Sequence, residues 1–395
     1  MIKIKIFISL LVLIFLISGC SPQQPIQPQQ PNSWPKTFGG PNDDVAYSIK
    51  KTSDGGYIVA GYTESFGMGG KDVYILKLDA NENLIWQKTF GGSDDEWANA
   101  IQRTSDGGYI VAGTKLVPKG GIKYDYDIYI LKLKSNGDLD WEKTFGEEGT
   151  DEKAFSIIET ANGYIVAGSK GGDAYILKLN TNGNYVWDKT FGGYDEDDAY
   201  SIQQTSDGGY IVAGRKYTTN RFDVYVVKFD ADGNKVWENT FGGSKWDEAY
   251  SIQQTSDGGY IVAGYTESFG KGWRDVYILK LDAKGNLIWQ KTFGENADEW
   301  ANDIQRTSDG GYIVAGLTWS FGAIASDAYI LKLNADGSLI WQKTYGGSNW
   351  DSAASVQETD DGGYIVAGHT DSFGMGGKDV YILKLDKDGN TYPTK

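Results

Sequence analysis

A single unit repeats through almost the entire chain and constrains the fold more than any other feature. One copy reads Ala249-Tyr-Ser-Ile-Gln-Gln-Thr-Ser-Asp-Gly-Gly-Tyr-Ile-Val-Ala-Gly264. After a loop it continues as Asp275-Val-Tyr-Ile-Leu-Lys-Leu-Asp-Ala-Lys-Gly-Asn-Leu-Ile-Trp289-Gln-Lys-Thr-Phe293. The Tyr of Gly-Tyr-Ile-Val-Ala-Gly recurs at Tyr57, Tyr109, Tyr164, Tyr210, Tyr260, Tyr312 and Tyr364. The Trp recurs at Trp34, Trp86, Trp141, Trp187, Trp237, Trp289 and Trp341, with spacings of 46 to 55 residues. Two independent markers in seven matching phases define a repeat protein.

Each unit holds four runs of β-branched and aromatic residues bounded by turn chemistry. They are strand A (249–255 in this copy), strand B (260–264), strand C (275–281) and strand D (287–293). Ser-Asp-Gly-Gly joins A to B, and Ala-Lys-Gly-Asn joins C to D. Both supply residues that tolerate positive φ, as tight hairpins need. No helical period follows residue 20. Four antiparallel strands per unit, seven times over, predict an all-β, seven-bladed β-propeller. A linear solenoid needs atypical capping repeats, and neither end of the repeat region reads as one.

The two ends are complementary instead. The region opens with a lone D strand, Ser33-Trp-Pro-Lys-Thr-Phe38, and closes after a C strand, 379–385, with a turn and no D strand. The N-terminal strand should complete the last blade and so remove the open sheet edges. The expected organisation is residues 1–19 as a signal peptide, 20–32 as a Pro/Gln-rich tether and 33–395 as one propeller. The 53 Gly are then turn chemistry repeated seven times.

The N-terminal segment predicts export. Lys3 and Lys5 precede a short apolar run, Ile6 to Ile17, too short to span a bilayer. It ends in Ile17-Ser18-Gly19-Cys20, which resembles the lipobox of bacterial lipoproteins and implies lipidation at Cys20, the only Cys in the chain. Two acyl chains make a stable anchor where one is marginal. The following Pro/Gln run favours extended spacing over a packed core. The expected location is the cell surface or envelope, attached through the lipid alone.

The formal net charge is −16, which opposes nucleic-acid binding because phosphate recognition needs a basic footprint. One Cys excludes a disulfide framework, and one His, His369, disfavours a His-based metal site or a Ser/His/Asp triad. His369 replaces the Tyr265 of another unit and reads as a surface substitution. No cofactor is expected. The one metal the acidic loops suggest is Ca²⁺ on hard oxygen ligands, without a calcium-loop motif to support it. Carboxylate pairs such as Asp94 with Asp95, or Asp195 with Glu196, are compatible with glycoside chemistry, but such pairs are common in acidic loops.

In an up-and-down blade, the B–C loops and D–A connections share one end. The B–C loop varies strongly in length between units, and variable loops on a rigid scaffold are where binding concentrates. Six tryptophans outside the repeat position map to this loop face: Trp97, Trp246, Trp273, Trp300, Trp319 and Trp350. Tyr124, Tyr126, Tyr194, Tyr217 and Phe222 map there too. Clustered aromatics suit a sugar-stacking surface or a protein hot spot, and equally suit wedging the loops together. Two acidic rings reach the same end. One precedes strand C: Asp72, Asp127, Asp173, Asp223, Asp275, Asp327 and Asp379. The other precedes strand A: Asp44, Glu96, Glu152, Asp197, Asp247, Glu299 and Asp351. Catalysis needs a group once, so sevenfold recurrence argues for a structural role, fixing turns through loop N–H groups.

The string Tyr277-Ile-Leu-Lys-Leu-Asp-Ala-Lys-Gly-Asn-Leu-Ile-Trp289 resembles the Trp-docking strand pair of quinoprotein-type propellers. The whole unit, over residues 33–390, resembles a group of secreted bacterial and archaeal repeat proteins built from Ser-Asp-Gly-Gly-Tyr-Ile-Val-Ala-Gly and Lys-Thr-Phe-Gly-Gly strings. Kelch propellers share the Gly-Gly, Tyr, Trp order at other spacings. Quinoprotein dehydrogenases have eight blades and a vicinal Cys pair, both missing here, so their activity does not carry over. Thr63-Glu-Ser-Phe-Gly67 and Asp95-Glu-Trp-Ala-Asn99 reappear 203 residues later at Thr266 and Asp298, which looks like a four-blade duplication. The expected function is a monomeric binding or scaffold module for glycan or protein. A polysaccharide-active enzyme and a structural envelope lipoprotein are the alternatives.

Overall fold

In a computed structural model the described residues are 35–118, 124–193, 196–322 and 325–392. The signal, the tether, Cys20, Trp34, Tyr194 and Asp195 lie outside them. The described strands form seven four-stranded sheets in the order A-B-C-D. Each sheet is one blade of a seven-bladed β-propeller, and every strand pairing is antiparallel. Among the described residues there is no helix.

The ring closes as the unpaired ends require. Lys36–Phe38 forms the outer strand of the last blade and pairs with Asp379–Leu385, in the register Lys36↔Ile382, Thr37↔Tyr381 and Phe38↔Val380. Blade 7 is therefore built from both ends of the repeat region.

Strand boundaries differ from the sequence expectation at one place that matters. In blade 5, strand A runs Asp247–Gln254 and strand B runs Tyr260–Thr266, each two residues longer at the loop end than expected. A β-bulge between Ala249 and Ser251 lets pairing continue to Glu248↔Tyr265 and Asp247↔Thr266. The same irregularity follows the corresponding Ala in every blade, from Ala46/Ser48 to Ala353/Ser355. A bulge adds an unpaired residue and re-aims the side chains beside it. Here it turns one residue per blade, the position of Tyr250, toward the ring centre.

Strands B and C are buried on both faces, which explains their continuous apolar runs. Each blade's B and C strands face the A, B and C strands of the next. Ile261, Ala263, Val276 and Ile278 of blade 5 pack on Ala301, Ile304, Val314 and Leu331 of blade 6. The seam between blades 7 and 1 has the same composition, with Phe38 in the place that Phe293 takes between blades 5 and 6. Each fully buried Ile or Leu contributes about 1.5–3 kcal/mol. The blades are held together by seven such interfaces.

The repeated Trp of strand D works at the blade rim. It packs on the C–D turn of the following blade and against that blade's Tyr of strand B, as in Trp237 with Tyr260 at 5.9 Å between ring centroids. The turn residue beneath it is Gly for two reasons. Gly285 has φ +82°, and a Cβ there would lie 2.7 Å from the Trp237 ring. The six described Trp of this type make the same contact with Gly137, Gly183, Gly233, Gly285, Gly337 and Gly389.

The strand-C Lys is buried and clamped by the A–B turn of its own blade. Lys280 Nζ donates to Thr255 Oγ1 at 3.0 Å and pairs with Asp257 at 2.9 Å. Lys77, Lys132, Lys228, Lys332 and Lys384 pair likewise with Asp54, Asp106, Asp207, Asp309 and Asp361. Burial works to raise Asp257, but hydrogen bonds from Thr255, Lys280 and the Gly259 N–H outweigh it and hold the carboxyl at about 2. Blade 3 has a shorter turn without this Asp, and burial there lowers Lys178.

Candidate functional site

The two acidic rings meet between blades. Asp275 opens strand C of blade 5 and Glu299 opens strand A of blade 6. A Cβ on Gly294 would lie 2.4 Å from an oxygen of each. Gly91 stands in the same relation to Asp72 and Glu96, and Gly346 to Asp327 and Asp351. The Gly of each such Phe-Gly or Tyr-Gly pair is what lets the backbone pass over two carboxylates. Loop N–H groups donate to both members: Met68 to Asp72 Oδ2 at 3.0 Å, and Gly92 to Glu96 Oε2 at 2.9 Å. Burial pushes Asp72 and Asp379 up to about 6 and Glu152 up to about 7. It also raises Asp44, Asp197, Asp247 and Asp275. Asp127, Asp223, Asp327, Glu299 and Asp351 are buried in equivalent places, and Asp173 is half-buried. Among the described residues, no group of three or more His, Cys, Asp or Glu side chains is arranged to hold a metal ion.

The six extra tryptophans divide. Trp246, Trp273, Trp319 and Trp350 lie on the loop face and are 42%, 79%, 45% and 52% exposed. They follow one another around blades 5 to 7, and the Trp319 and Trp350 rings lie 6.4 Å apart. Trp97 and Trp300 are not in the D–A connections. The bulge extends strand A, and each is its second residue, pairing with Thr114 and Leu317. Both are half-buried: Trp97 packs on Tyr126 at 5.8 Å, whereas Trp300 packs near Tyr265 and lines the central cavity. Of the other loop aromatics, Tyr124 is exposed and Phe222 is buried against Trp246 at 5.5 Å.

Loop-to-loop hydrogen bonds make this end rigid. The first N–H of strand A in one blade donates to the loop before strand C of the preceding blade. Asp44 N donates to Lys378 O at 2.6 Å, Glu96 N to Lys71 O at 2.7 Å and Glu299 N to Arg274 O at 2.9 Å.

The cavity at the ring centre has a volume of about 810 Å³ and is lined by strand A of all seven blades. Sequence reasoning missed it. The bulged position presents Tyr47, Asn99, Phe155, Tyr200, Tyr250, Asn302 and Ala354 in blade order. Phe155, Tyr200 and Tyr250 form a continuous aromatic wall, with centroids 5.0 and 5.2 Å apart. Behind it, Arg215 Nε donates to Asp198 at 2.7 Å and Nη1 to Glu248 at 3.3 Å. Tyr250 and Tyr265 donate to Glu248 at 3.1 and 2.9 Å, and Tyr200 donates to Asp198 at 3.0 Å. Burial, reinforced by these carboxylates, pushes all three phenols well up, so they remain donors.

One residue deeper, Ser48, Ala100, Ser156, Ser201, Ser251, Asp303 and Ser355 form a ring. Ser48, Ser156 and Ser201 each accept a backbone N–H from strand A of the next blade, as Ser201 Oγ does from Ile252 at 3.3 Å. Asp303 does more. It accepts from Val356 N–H at 3.0 Å, from Ser251 Oγ at 3.0 Å, from Ser355 Oγ at 3.2 Å and from Gln305 Nε2 at 3.0 Å. His369 also lines the cavity, half-buried, and burial lowers it to about 4. It is not a surface substitution.

The protein is thus a seven-bladed β-propeller repeat protein with a rigid loop face and an asymmetric central channel. Residues 307–339 match the family described as "Domain of unknown function (DUF5122) beta-propeller". The regulatory protein FlaEY of Caulobacter vibrioides is 26% identical over 144 residues, 31% of this chain and 15% of that protein's length. Solved propellers share the fold at low identity. Chaetomium thermophilum Sqt1 bound to the N-terminus of ribosomal protein L10 has a TM-score of 0.51 at 12% identity, covering 89% of this chain and 98% of that one. The Neurospora crassa Pan2 WD40 domain has a TM-score of 0.53 at 12% identity, covering 90% and 91%. Likeness at this identity is of fold alone.

Proposed function

We propose that this protein is a non-catalytic binding module, lipid-anchored at the cell surface through Cys20, whose loop face engages a protein partner. The observation that carries the reading is the run of Trp246, Trp273, Trp319 and Trp350 on one side of that face, each more than two-fifths exposed. A solvent-facing Trp loses contact with water only when a partner covers it, and Trp is enriched among the residues that dominate protein interfaces. The backbone ties between neighbouring loops support the reading, because a pre-organised face loses little entropy on binding. Sqt1, a propeller of similar shape, holds the N-terminus of ribosomal protein L10.

The test uses the full chain expressed in its own envelope. Crosslinking and capture with the natural protein should retain a defined partner, and the Trp319→Ala/Trp350→Ala variant should lose it at unchanged melting temperature. Identical capture by both would end the protein-docking reading. A glycan array run beside it separates the polysaccharide alternative, which requires array binding that the same double variant abolishes. The anchor is tested by Cys20→Ser, which should move the protein from the membrane to the soluble fraction.

A further inference from the structure

The central channel is a second site, distinct from the exposed tryptophans, and its two walls differ. On one side Phe155, Tyr200 and Tyr250 line the channel as an unbroken arc of touching rings, continued by Trp300 of the next blade. Across from them the same strand-A position carries Asn302, Ala354 and, past Tyr47, Asn99. The missing ring volume is what opens the cavity. A channel needed only to close the propeller would be filled evenly by the repeat, as the B and C strands are. This one departs from the repeat at the position that faces its centre.

The lining chemistry narrows the occupant. Its fixed charges are Lys50 and Arg103 against Glu159 and Asp303, so the channel does not select an ion of either sign. Asp198 and Glu248 behind the wall are engaged by Arg215 and by tyrosine hydroxyls. Their charge is directed away from the void. The remaining polar surface is amide and hydroxyl, including Gln102, Gln203, Gln305 and Ser201, groups that both donate and accept. Gln305 is already engaged by Gln253 and Asp303, and Gln203 Oε1 by the Gln254 N–H. An apolar ligand would strand the Gln102 amide and the Gln203 Nε2 group, at a cost for each. A neutral polyhydroxylated ring satisfies both walls: its C–H face stacks on tyrosine, and its hydroxyls meet amides. The cavity of about 810 Å³ lies within the range of small-molecule sites.

We propose that the central channel binds a neutral saccharide of one to two rings, stacked on Tyr200 and Tyr250. The full-length protein is titrated by calorimetry with glucose, galactose, N-acetylglucosamine, maltose, cellobiose and lactose. At least one should bind saturably with one-to-one stoichiometry. Tyr250→Ala should weaken that binding at least tenfold. Ala354→Trp fills the open wall without removing a hydrogen bond and should abolish it, with circular dichroism and melting temperature showing an intact fold. Trp319→Ala/Trp350→Ala should leave it unchanged, which separates this site from the loop face. The proposal is overturned if none of these sugars binds, if binding survives Ala354→Trp, or if tetramethylammonium or sulfate competes for the channel more tightly than any sugar.

Discussion

Asp303 is the residue at which the channel's structure can be weighed most directly. Replacing it by Ala removes one acceptor from four donors. The Ser251 and Ser355 hydroxyls and the Gln305 amide face the channel and can turn to water. The Val356 N–H cannot, because Val356 is fully buried on the inner edge strand of its sheet, where Asp303 of the preceding blade is its acceptor. A buried donor left unsatisfied costs about 1–3 kcal/mol, and the lost charge-assisted bonds bring the expected total to about 3 kcal/mol. Asp303→Ser should cost far less, about 1 kcal/mol, because serine is what blades 1, 3 and 4 use to accept the neighbouring N–H. Urea unfolding followed by tryptophan fluorescence reads the difference. With a slope of about 3 kcal/mol/M, the Ala variant should unfold about 1 M earlier than the natural protein and the Ser variant about 0.3 M earlier. Equal midpoints for the two variants would refute the argument, since they would mean that the orphaned N–H carries no cost.

Stability should peak in mildly acid solution. Asp72, Asp379 and Glu152 are raised in the folded state, so their contribution is complete below the unfolded values near 4 and is lost as pH rises through about 6 to 7. The turn carboxylates Asp54, Asp106, Asp207, Asp257 and Asp309 are held at about 2, so theirs is complete above about 4 and lost as pH falls through about 2. Melting temperature should therefore be higher at pH 5 than at pH 8, and a monotonic rise toward pH 8 would contradict the inter-blade carboxylate pairs. Gly285→Ala forces a Cβ into a left-handed turn under Trp237 and should cost at least about 1–2 kcal/mol, with a red shift in emission; an unchanged melting curve would remove the clasp. Deleting Lys36–Phe38 exposes the edge of strand 379–385 and uncovers the apolar contact of Phe38. It should cost about 3–5 kcal/mol and make the last blade the first site of limited proteolysis, whereas cleavage elsewhere would show that closure is not the weak point.

The blades were legible in the sequence because their determinants recur. Gly-Tyr-Ile-Val-Ala-Gly and Asp-Val-Tyr-Ile-Leu-Lys-Leu are apolar without alternation, as strands covered on both faces must be, and the turn glycines set the phase between them. The paired ends announced the closure. The channel was not legible for the opposite reason. Its wall is the column holding Tyr47, Asn99, Phe155, Tyr200, Tyr250, Asn302 and Ala354, which scatters within an otherwise constant strand and passes for noise. That scatter, four residue types in seven places between an invariant Ala and a predominant Ser, was the available signal. Trp97, Trp300 and His369 were misplaced by one cause. The bulge after the invariant Ala lengthens strands A and B, so residues that read as connection or surface lie in the ladder, and Trp300 and His369 line the channel.

The four-blade duplication allows a sharper separation of scaffold from function than the repeat alone. Blade 1 matches blade 5 almost residue for residue, whereas blades 2 and 6 share strand A and strand B closely but differ through the B–C loop, 114–127 against 317–327. Shared residues carry history and differences carry selection or drift. Three differences stand out by position. Gly70, where a Cβ would lie 2.0 Å from Asp95, is replaced by Trp273, which projects into solvent. Lys71 is replaced by Arg274, whose guanidinium sits over Tyr265 at 4.8 Å and Trp300 at 5.6 Å. Ala100 is replaced by Asp303, the one carboxylate in the serine ring. The first alters the loop face, the last alters the channel, and Arg274 joins them: it lies beside Trp273 in the chain and packs on Trp300 at the channel mouth. Random divergence of two copies would scatter over exposed turns at both ends of the blades. The copies do differ at the far end too, as in Asn81 and Glu82 against Lys284 and Gly285, but these three changes lie close together on blades 5 and 6, where the exposed tryptophans begin and the aromatic wall ends. Arg274, between Trp273 and the Trp300 ring, therefore places the two sites side by side in one sector of the ring.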